Sequence, residues 1–235
     1  KQYAQMGDLL AAAAHAPAEE PTGPVGYRVS SALRPKEGQQ LCGDQLATVE
    51  TGGMLYLLLS DGMGSGPEAH REAALTVRLL EQFLQAGVET EHALVTLNSA
   101  LALRGEEAGG FTTVDLLQVD LFTGDGVVFK LGAAPTYVRK GGTVRRISGT
   151  SLPAGLEAEE RSAPDRFPIH LSPGDCVVLV SDGVTGTEDD SWLRERLVKF
   201  DQGSPKELAR DLITHSPQGA TDDSTALVIR LEKRE

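Results

Sequence analysis

Hydrophobic positions along this chain follow two rhythms. Short apolar runs bounded by glycine mark strands, and apolar residues spaced three and four apart mark helices. Residues 2–15 carry helix formers ending at Ala11–Ala14, followed by Pro17, Pro21, Gly23 and Pro24. They predict a short helix and a linker. Strands are predicted at roughly 25–33, 44–50 and 54–60, with Gly52-Gly53 as a hairpin signal. A glycine-rich loop, Gly62 to Pro67, leads into a helix reaching about Ala86, with Ala69, Ala73, Val77, Leu80 and Leu84 at helical spacing. Gly87 ends it, and a second helix presents Ala93, Leu94, Leu97 and Leu101, interrupted by Asn98 and Ser99. Strands return around 114–121, 126–131, 136–139 and 144–147, and residues 149–166 read as an irregular loop. A strand at 175–181, helices near 191–200 and 204–215, and a last strand at 224–232 complete the pattern. Ser204-Pro205 opens the last helix as an N-cap followed by proline at the first helical position.

Short strands joined by glycine turns, with no intervening helices, mean antiparallel pairing. Repeated βαβ units are absent, which argues against a doubly wound parallel sheet. The fold class is therefore α+β, a sandwich of antiparallel sheets with helices packed outside. At 235 residues the chain suits one core. We divide it into an N-terminal helix and linker, 1–24, and one domain, 25–235.

Formal charge is −12, from 34 acids against 22 bases. That balance excludes the basic stripe a nucleic-acid partner needs and disfavours docking on anionic lipid. Apolar runs such as Leu55–Leu59 are strand-length, too short to cross a bilayer. The chain shows no secretory signal, and its first residue, Lys1, suggests a piece of a longer polypeptide whose helix 2–15 connects to an upstream regulatory part. Cys42 and Cys176, without a CxxC pattern, read as reduced residues of an intracellular protein, with a single disulfide as the alternative.

The candidate chemistry lies at strand ends. Leu55–Leu59 runs into Ser60-Asp61-Gly62, and Val177–Val180 runs into Ser181-Asp182-Gly183. Asp222-Asp223 stands just before Ala226–Ile229. Acids held at the ends of buried strands and converging on one place would repel one another, and a divalent cation, or a pair, resolves that repulsion. Gly62 lets backbone approach a ligand, so its carbonyl is a further candidate. Asp44 begins the strand that pairs with the Asp61 strand, which brings it to the same sheet end, where it would hold a metal-bound water. Either Asp-Gly alone reads as a turn, and Asp44 alone as a plain strand-edge residue. The recurrence carries the site.

Other motifs are weaker. Gly62–Gly66 lacks both a Walker lysine and G-x-G-x-x-G spacing. Asp120–Gly126 lacks calcium-loop spacing and reads as a hairpin turn. His15, His70, His92, His170 and His215 show no ligand spacing, and no nucleophile signature supports a triad.

The order Gly43-Asp44, Ser60-Asp61-Gly62-Met63-Gly64, Ser181-Asp182-Gly183 and Asp222-Asp223-Ser224-Thr225 resembles the metal-dependent (PPM, type 2C) serine/threonine protein phosphatases. Asp-Gly-Met-Gly followed by Gly-x-x-Ala-His, with Gly132-Ala133-Ala134-Pro135 and Leu152-Pro153-Ala154-Gly155, looks like the stage II sporulation protein E branch, over about Gly26 to Leu231. The resemblance implies an αββα sandwich of two antiparallel sheets flanked by helix pairs, with two Mn2+ or Mg2+ ions between the sheets. Asp61 would bridge both ions, the Gly62 carbonyl would bind one, Asp182 and Asp222 would complete the ligand set of the second ion, and Asp44 would act through water. Asp223 would be structural. The resemblance further implies hydrolysis of a phosphorylated anti-anti-sigma-factor-like domain in sporulation control. It also implies an upstream regulatory and membrane-spanning region tethering a cytoplasmic domain, and it leaves a homodimer open. Signals would reach Asp61 through the helices at 65–86 and 89–103. Eukaryotic relatives clamp phosphate with an arginine near the first strand; Arg34 and Lys36 lie in that region without matching a motif position. Two other readings stand beside this one: a phosphoprotein-binding module that does not hydrolyse, and a metal-dependent hydrolase of small phosphoesters.

Overall fold

The computed structural model describes residues 23–108, 110–156, 163–186, 189–201, 203–216 and 221–234. The helix expected over 2–15 lies outside the described residues. Ten strands form two five-stranded sheets. The first, in spatial order, holds β1 (Val25–Arg34), β10 (Ser224–Lys233), β9 (Cys176–Val180), β6 (Thr136–Lys140) and β7 (Thr143–Ile147). The second holds β2 (Asp44–Thr51), β3 (Met54–Asp61), β4 (Val114–Asp120), β5 (Asp125–Leu131) and β8 (Asp165–His170). Every pairing is antiparallel.

Strand periodicity of two sorts the apolar residues into three packing layers. Leu55, Leu57 and Leu59 of β3 face Val177 and Leu179 of β9 and Leu227 and Ile229 of β10 across the space between the sheets. The alternate residues Tyr56 and Leu58 face outward, onto α1 (Pro67–Gln85) and α2 (Thr90–Ala108) through Val77, Leu80, Leu84, Leu94 and Leu97. On the other sheet, Val178, Val180, Ala226 and Val228 pack on α4 (Ser191–Lys199) and α5 (Pro205–His215) through Leu193, Leu197, Leu208 and Leu212. Central strands buried on both faces must be apolar at every position, which is why β3 and β9 read as unbroken hydrophobic runs. The αββα sandwich expected from the sequence is the fold observed.

Two elements depart from expectation. Residues 165–170 form β8, where part of an irregular loop was expected. This strand lies at a sheet edge, its exposure alternates, and Pro168 sits opposite Val127. An edge position tolerates proline because one side of the strand needs no ladder hydrogen bond, so the usual strand signal is weak. A short helix, α3 (Asp182–Thr185), follows β9 directly. The second helix is continuous through the polar residues that interrupt its apolar face: Asn98 is buried, and its Oδ1 accepts a hydrogen bond from Gly155 N at 2.8 Å. Asp120–Gly126 is the expected turn, with Asp120 Oδ1 accepting from Phe122 N at 2.7 Å.

The strand directions place β3 and β9 so that they end, and β2, β4, β6 and β10 so that they begin, at one end of the sandwich. The acids are gathered there. The Gly52-Gly53 hairpin occupies the other end.

Candidate metal centre

The β2–β3 register sets Asp44 directly opposite Asp61. Paired residues on one face of an antiparallel ladder have Cβ atoms about 4.5–5.5 Å apart, so two carboxylates share one small volume. Both lie on the face that carries Leu59, between the sheets. Asp61 ends its strand but its backbone is held. Its carbonyl accepts from Thr113 N at 2.9 Å and from Thr112 Oγ1 at 2.7 Å, and its N donates to Thr113 Oγ1 at 3.2 Å. Ser60 Oγ adds a bond to the Thr113 carbonyl at 2.8 Å. The next residue, Gly62, lies against α1: a Cβ there would stand 2.1 Å from the Ala69 carbonyl oxygen.

Asp182 comes from the opposite sheet. Ser181 exchanges backbone and side-chain bonds with Thr225, its N donating to the Thr225 carbonyl at 3.0 Å and its Oγ accepting from Thr225 N at 2.9 Å. Gly183 packs so tightly that a Cβ would meet the Asp223 carbonyl oxygen at 1.9 Å. The two serines that precede the two Asp-Gly pairs thus do the same job. Each pins the strand end that carries an acid.

Asp222 and Asp223 separate in role. Asp223 Oδ1 accepts from Lys36 N at 2.8 Å and Oδ2 from Gly43 N at 2.9 Å, so both oxygens hold the loop that delivers Asp44. Asp222 uses one oxygen to accept from Asp223 N at 2.9 Å. The structural reading of Asp223 agrees with these bonds.

Electrostatics bind the acids into one group. Burial, then the charges of Asp44 and Asp182, push the Asp61 carboxyl up to about 10, and the charge of Asp222 adds to the effect. Burial pushes Asp44 up to about 6, against the nearby Ser181 and Thr225 hydroxyls, with the charge of Asp223 raising it further. Asp182 is raised by burial and by Asp222. Neither oxygen of Asp44 accepts a hydrogen bond, although both are buried. Among the described residues, no three His, Cys, Asp or Glu side chains surround a single ion-sized point. The acids are neighbours that act on one another through their charge, and Asp61 is their hub.

A cleft of about 30 Å³ opens between Asp61, Asp115, Asp182, Ser181 and the Gly132–Ala134 loop. That is room for a water-sized group. Hard carboxylate oxygens and two buried, unpartnered oxygens fit a magnesium- or manganese-like cation better than a soft metal. Arg34 ends β1 opposite Ser224, on the face toward α5, with Nε and Nη2 buried and unpartnered. Neither Arg34 nor Lys36 lines the cleft. The cysteines are free and buried.

Sequence reasoning passed over Thr112 and Thr113, which grip Asp61, and the buried Asp115 and Lys130 behind the cleft. The repeated serine pointed to Ser60 and Ser181. A lysine and an aspartate inside otherwise apolar strands, 130 and 115, were the signal for the second pair.

Comparison with known proteins agrees with this geometry. The family model for Stage II sporulation protein E (SpoIIE) matches residues 51–232. The chain is 31% identical over 221 residues to the stage II sporulation protein E of Bacillus subtilis (strain 168), covering 88% of this chain and 26% of that protein. It is 30% identical over 207 residues to the protein of the same name from Priestia megaterium, covering 84% and 35%. The chain therefore spans about a quarter to a third of the length of these relatives. The PP2C phosphatase domain of SpoIIE from Bacillus subtilis, solved with a fragment of its regulatory domain, superposes with a TM-score of 0.80 at 27% identity, over 91% of this chain and 66% of that one. Acids delivered by both sheets to one end of an αββα sandwich, and a match spanning most of the chain, lead to one conclusion: the chain belongs to the stage II sporulation protein E family and has the PP2C phosphatase fold.

Proposed function

We propose that this domain is a divalent-metal-dependent serine/threonine phosphoprotein phosphatase. The observation that carries the reading is the gathering of Asp44, Asp61, Asp182 and Asp222 from two sheets at one end of the sandwich, where their mutual repulsion calls for cations. Asp61, the Gly62 carbonyl, Asp182 and Asp222 are assigned to hold two Mn2+ or Mg2+ ions, and Asp44 to act through water. When bound, the ions supply the positive charge that keeps the carboxylates ionised and polarises water and phosphoryl oxygens. The protein's own part is positional. Thr112, Thr113 and Ser60 fix Asp61, while Ser181 and Thr225 fix the strand end that carries Asp182. Asp44, whose oxygens are buried and unpartnered, is assigned to orient a water against phosphorus. Direct attack by water needs no enzyme nucleophile. Leu59 forms the apolar floor beneath Asp61 between the sheets.

Family membership supports a phosphorylated anti-anti-sigma-factor-like domain as substrate. It also supports tethering of the full-length protein to the membrane through a region outside this domain, because no helix among the described residues is long and apolar enough to span one. The contact of Ala69 with Gly62 is a route by which movement of α1 would reach the loop after Asp61.

The test is manganese-dependent hydrolysis of a generic aryl phosphate and then of a phosphoserine protein. Asp182→Asn should remove nearly all turnover while leaving the circular dichroism spectrum unchanged. Wild-type turnover in that variant, or in fully chelated protein, refutes the proposal. Binding of the phosphoprotein without hydrolysis would establish the recognition module instead.

A further inference from the structure

Directly behind the acids, a polar bridge crosses a core that is otherwise apolar. Lys130 on β5 and Asp115 on β4 are 0% and 1% exposed, with Nζ and Oδ1 2.9 Å apart. From the opposite sheet, Thr136 reaches between them. Its hydroxyl accepts from Lys130 Nζ at 2.8 Å and donates to Asp115 Oδ2 at 2.5 Å. The hydroxyl proton has one direction to go, and the bridge has one geometry.

Its place gives it a purpose. Asp115 is paired across the ladder with Leu59, two residues before Asp61, and follows Thr113, which grips the Asp61 backbone. Thr136 begins β6, whose next residue, Tyr137, pairs with Val178 on β9, the strand that ends at Val180, two residues before Asp182. The bridge therefore ties the neighbour of the Asp61 strand to the neighbour of the Asp182 strand. Asp115 also lines the same cleft as Asp61 and Asp182.

Around the bridge the contacts between the sheets are apolar, including Leu59, Leu117, Val138 and Leu179; nearer Asp44, the bond from Gly43 N to Asp223 Oδ2 is a second polar tie. Apolar packing is non-directional and tolerates sliding. Hydrogen bonds between a buried lysine, hydroxyl and carboxylate do not, because a small offset leaves a buried charge unsatisfied. We propose that Lys130, Asp115 and Thr136 are positioning residues that set the separation and offset of the two sheets at the acidic end, and thereby the spacing of Asp61 and Asp182 that two divalent ions require. This rests on the metal-dependent reading above and adds to it the residues that hold the two halves of the site in register.

The experiment measures Mn2+ affinity directly, by calorimetric titration of the intact protein, together with its melting temperature under chelation. Thr136→Val preserves volume and removes the cross-sheet hydroxyl. It should weaken Mn2+ binding at least tenfold and lower kcat with little change in KM. Thr136→Ser should restore affinity to within about twofold of wild type. The double variant Lys130→Met/Asp115→Leu replaces a buried pair by apolar side chains, a change proteins often tolerate without loss of stability. It should melt near or above the wild-type temperature under chelation and still bind Mn2+ at least tenfold more weakly. Should Thr136→Val fail to fold, the double variant decides. Wild-type Mn2+ affinity in either folded variant overturns the proposal, as does a loss that simply tracks the melting temperature. A wild-type protein that binds neither Mn2+ nor Mg2+ overturns the metal reading and this proposal with it.

Discussion

Asp61→Asn should make the metal-free protein more stable, although it removes a residue assigned to the active centre. Burial and the charges of Asp44 and Asp182 lift the Asp61 carboxyl from 3.8 to about 10. At pH 7 the folded protein then carries a proton on this group that the unfolded chain does not. Each pH unit above the unfolded value costs about 1.4 kcal/mol, which over roughly three units amounts to about 4 kcal/mol. A Coulomb estimate gives the same size: like charges about 4 Å apart at an effective dielectric of 20 repel by about 4 kcal/mol. Asparagine keeps the shape without the charge, so about 2–4 kcal/mol should be recovered. For a domain of this size each kcal/mol moves the melting temperature by about 2–4 °C, so a rise of about 5–12 °C is expected under chelation. The sign with pH follows. A folded pKa above the unfolded one means the native state holds more protons, so chelated wild-type protein loses stability as pH climbs from about 4. Asp44 contributes to that loss only up to about 6, whereas Asp61 contributes up to about 10. Melting curves from pH 5 to 8 in a chelator, for both proteins, make the test, and the variant's dependence should be flatter. Added Mn2+ should reverse the order, because only the wild type keeps the full ligand set. A variant that melts at or below wild type throughout the chelated series refutes the account of the acids as a repulsive group.

Gly183→Ala should destabilise the domain by roughly 2–3 kcal/mol, since its Cβ would overlap the Asp223 carbonyl at 1.9 Å and overpacking of this kind costs about that much; urea denaturation checks it, and Mn2+ affinity should fall with it. Ser204→Ala should cost about 1 kcal/mol, because Ser204 and Glu207 form a reciprocal capping box at the start of α5. Hydrolysis should be unchanged in that variant, α5 being on the outer face.

How much of this was legible beforehand varies with the kind of signal. The strands buried on both faces announced themselves through unbroken apolar runs, and α1 and α5 through helical spacing and their proline starts. β8 was hidden, because an edge strand with Pro168 and only two inward residues lacks the density of apolar positions that marks the others. Asp44, Asp61, Asp182 and Asp222 were legible as site candidates because acids at the ends of apolar strands have few structural reasons to recur. Of the Asp115–Lys130–Thr136 bridge only a lysine and an aspartate inside apolar strands were visible, and that Thr136 joins them shows only when the two sheets stack.

Residue order by itself thus determined most of the elements, the αββα class, the family and the acids most worth testing. These depend on local periodicity and on motif order, which a linear chain displays in full. The tertiary structure alone decided which carboxylates act on one another, that both oxygens of Asp223 are taken up by backbone, and that a threonine from one sheet completes an ion pair in the other. Those facts arise from register and from the stacking of layers, where residues far apart in sequence come within hydrogen-bonding distance and burial turns ordinary side chains into strongly interacting ones.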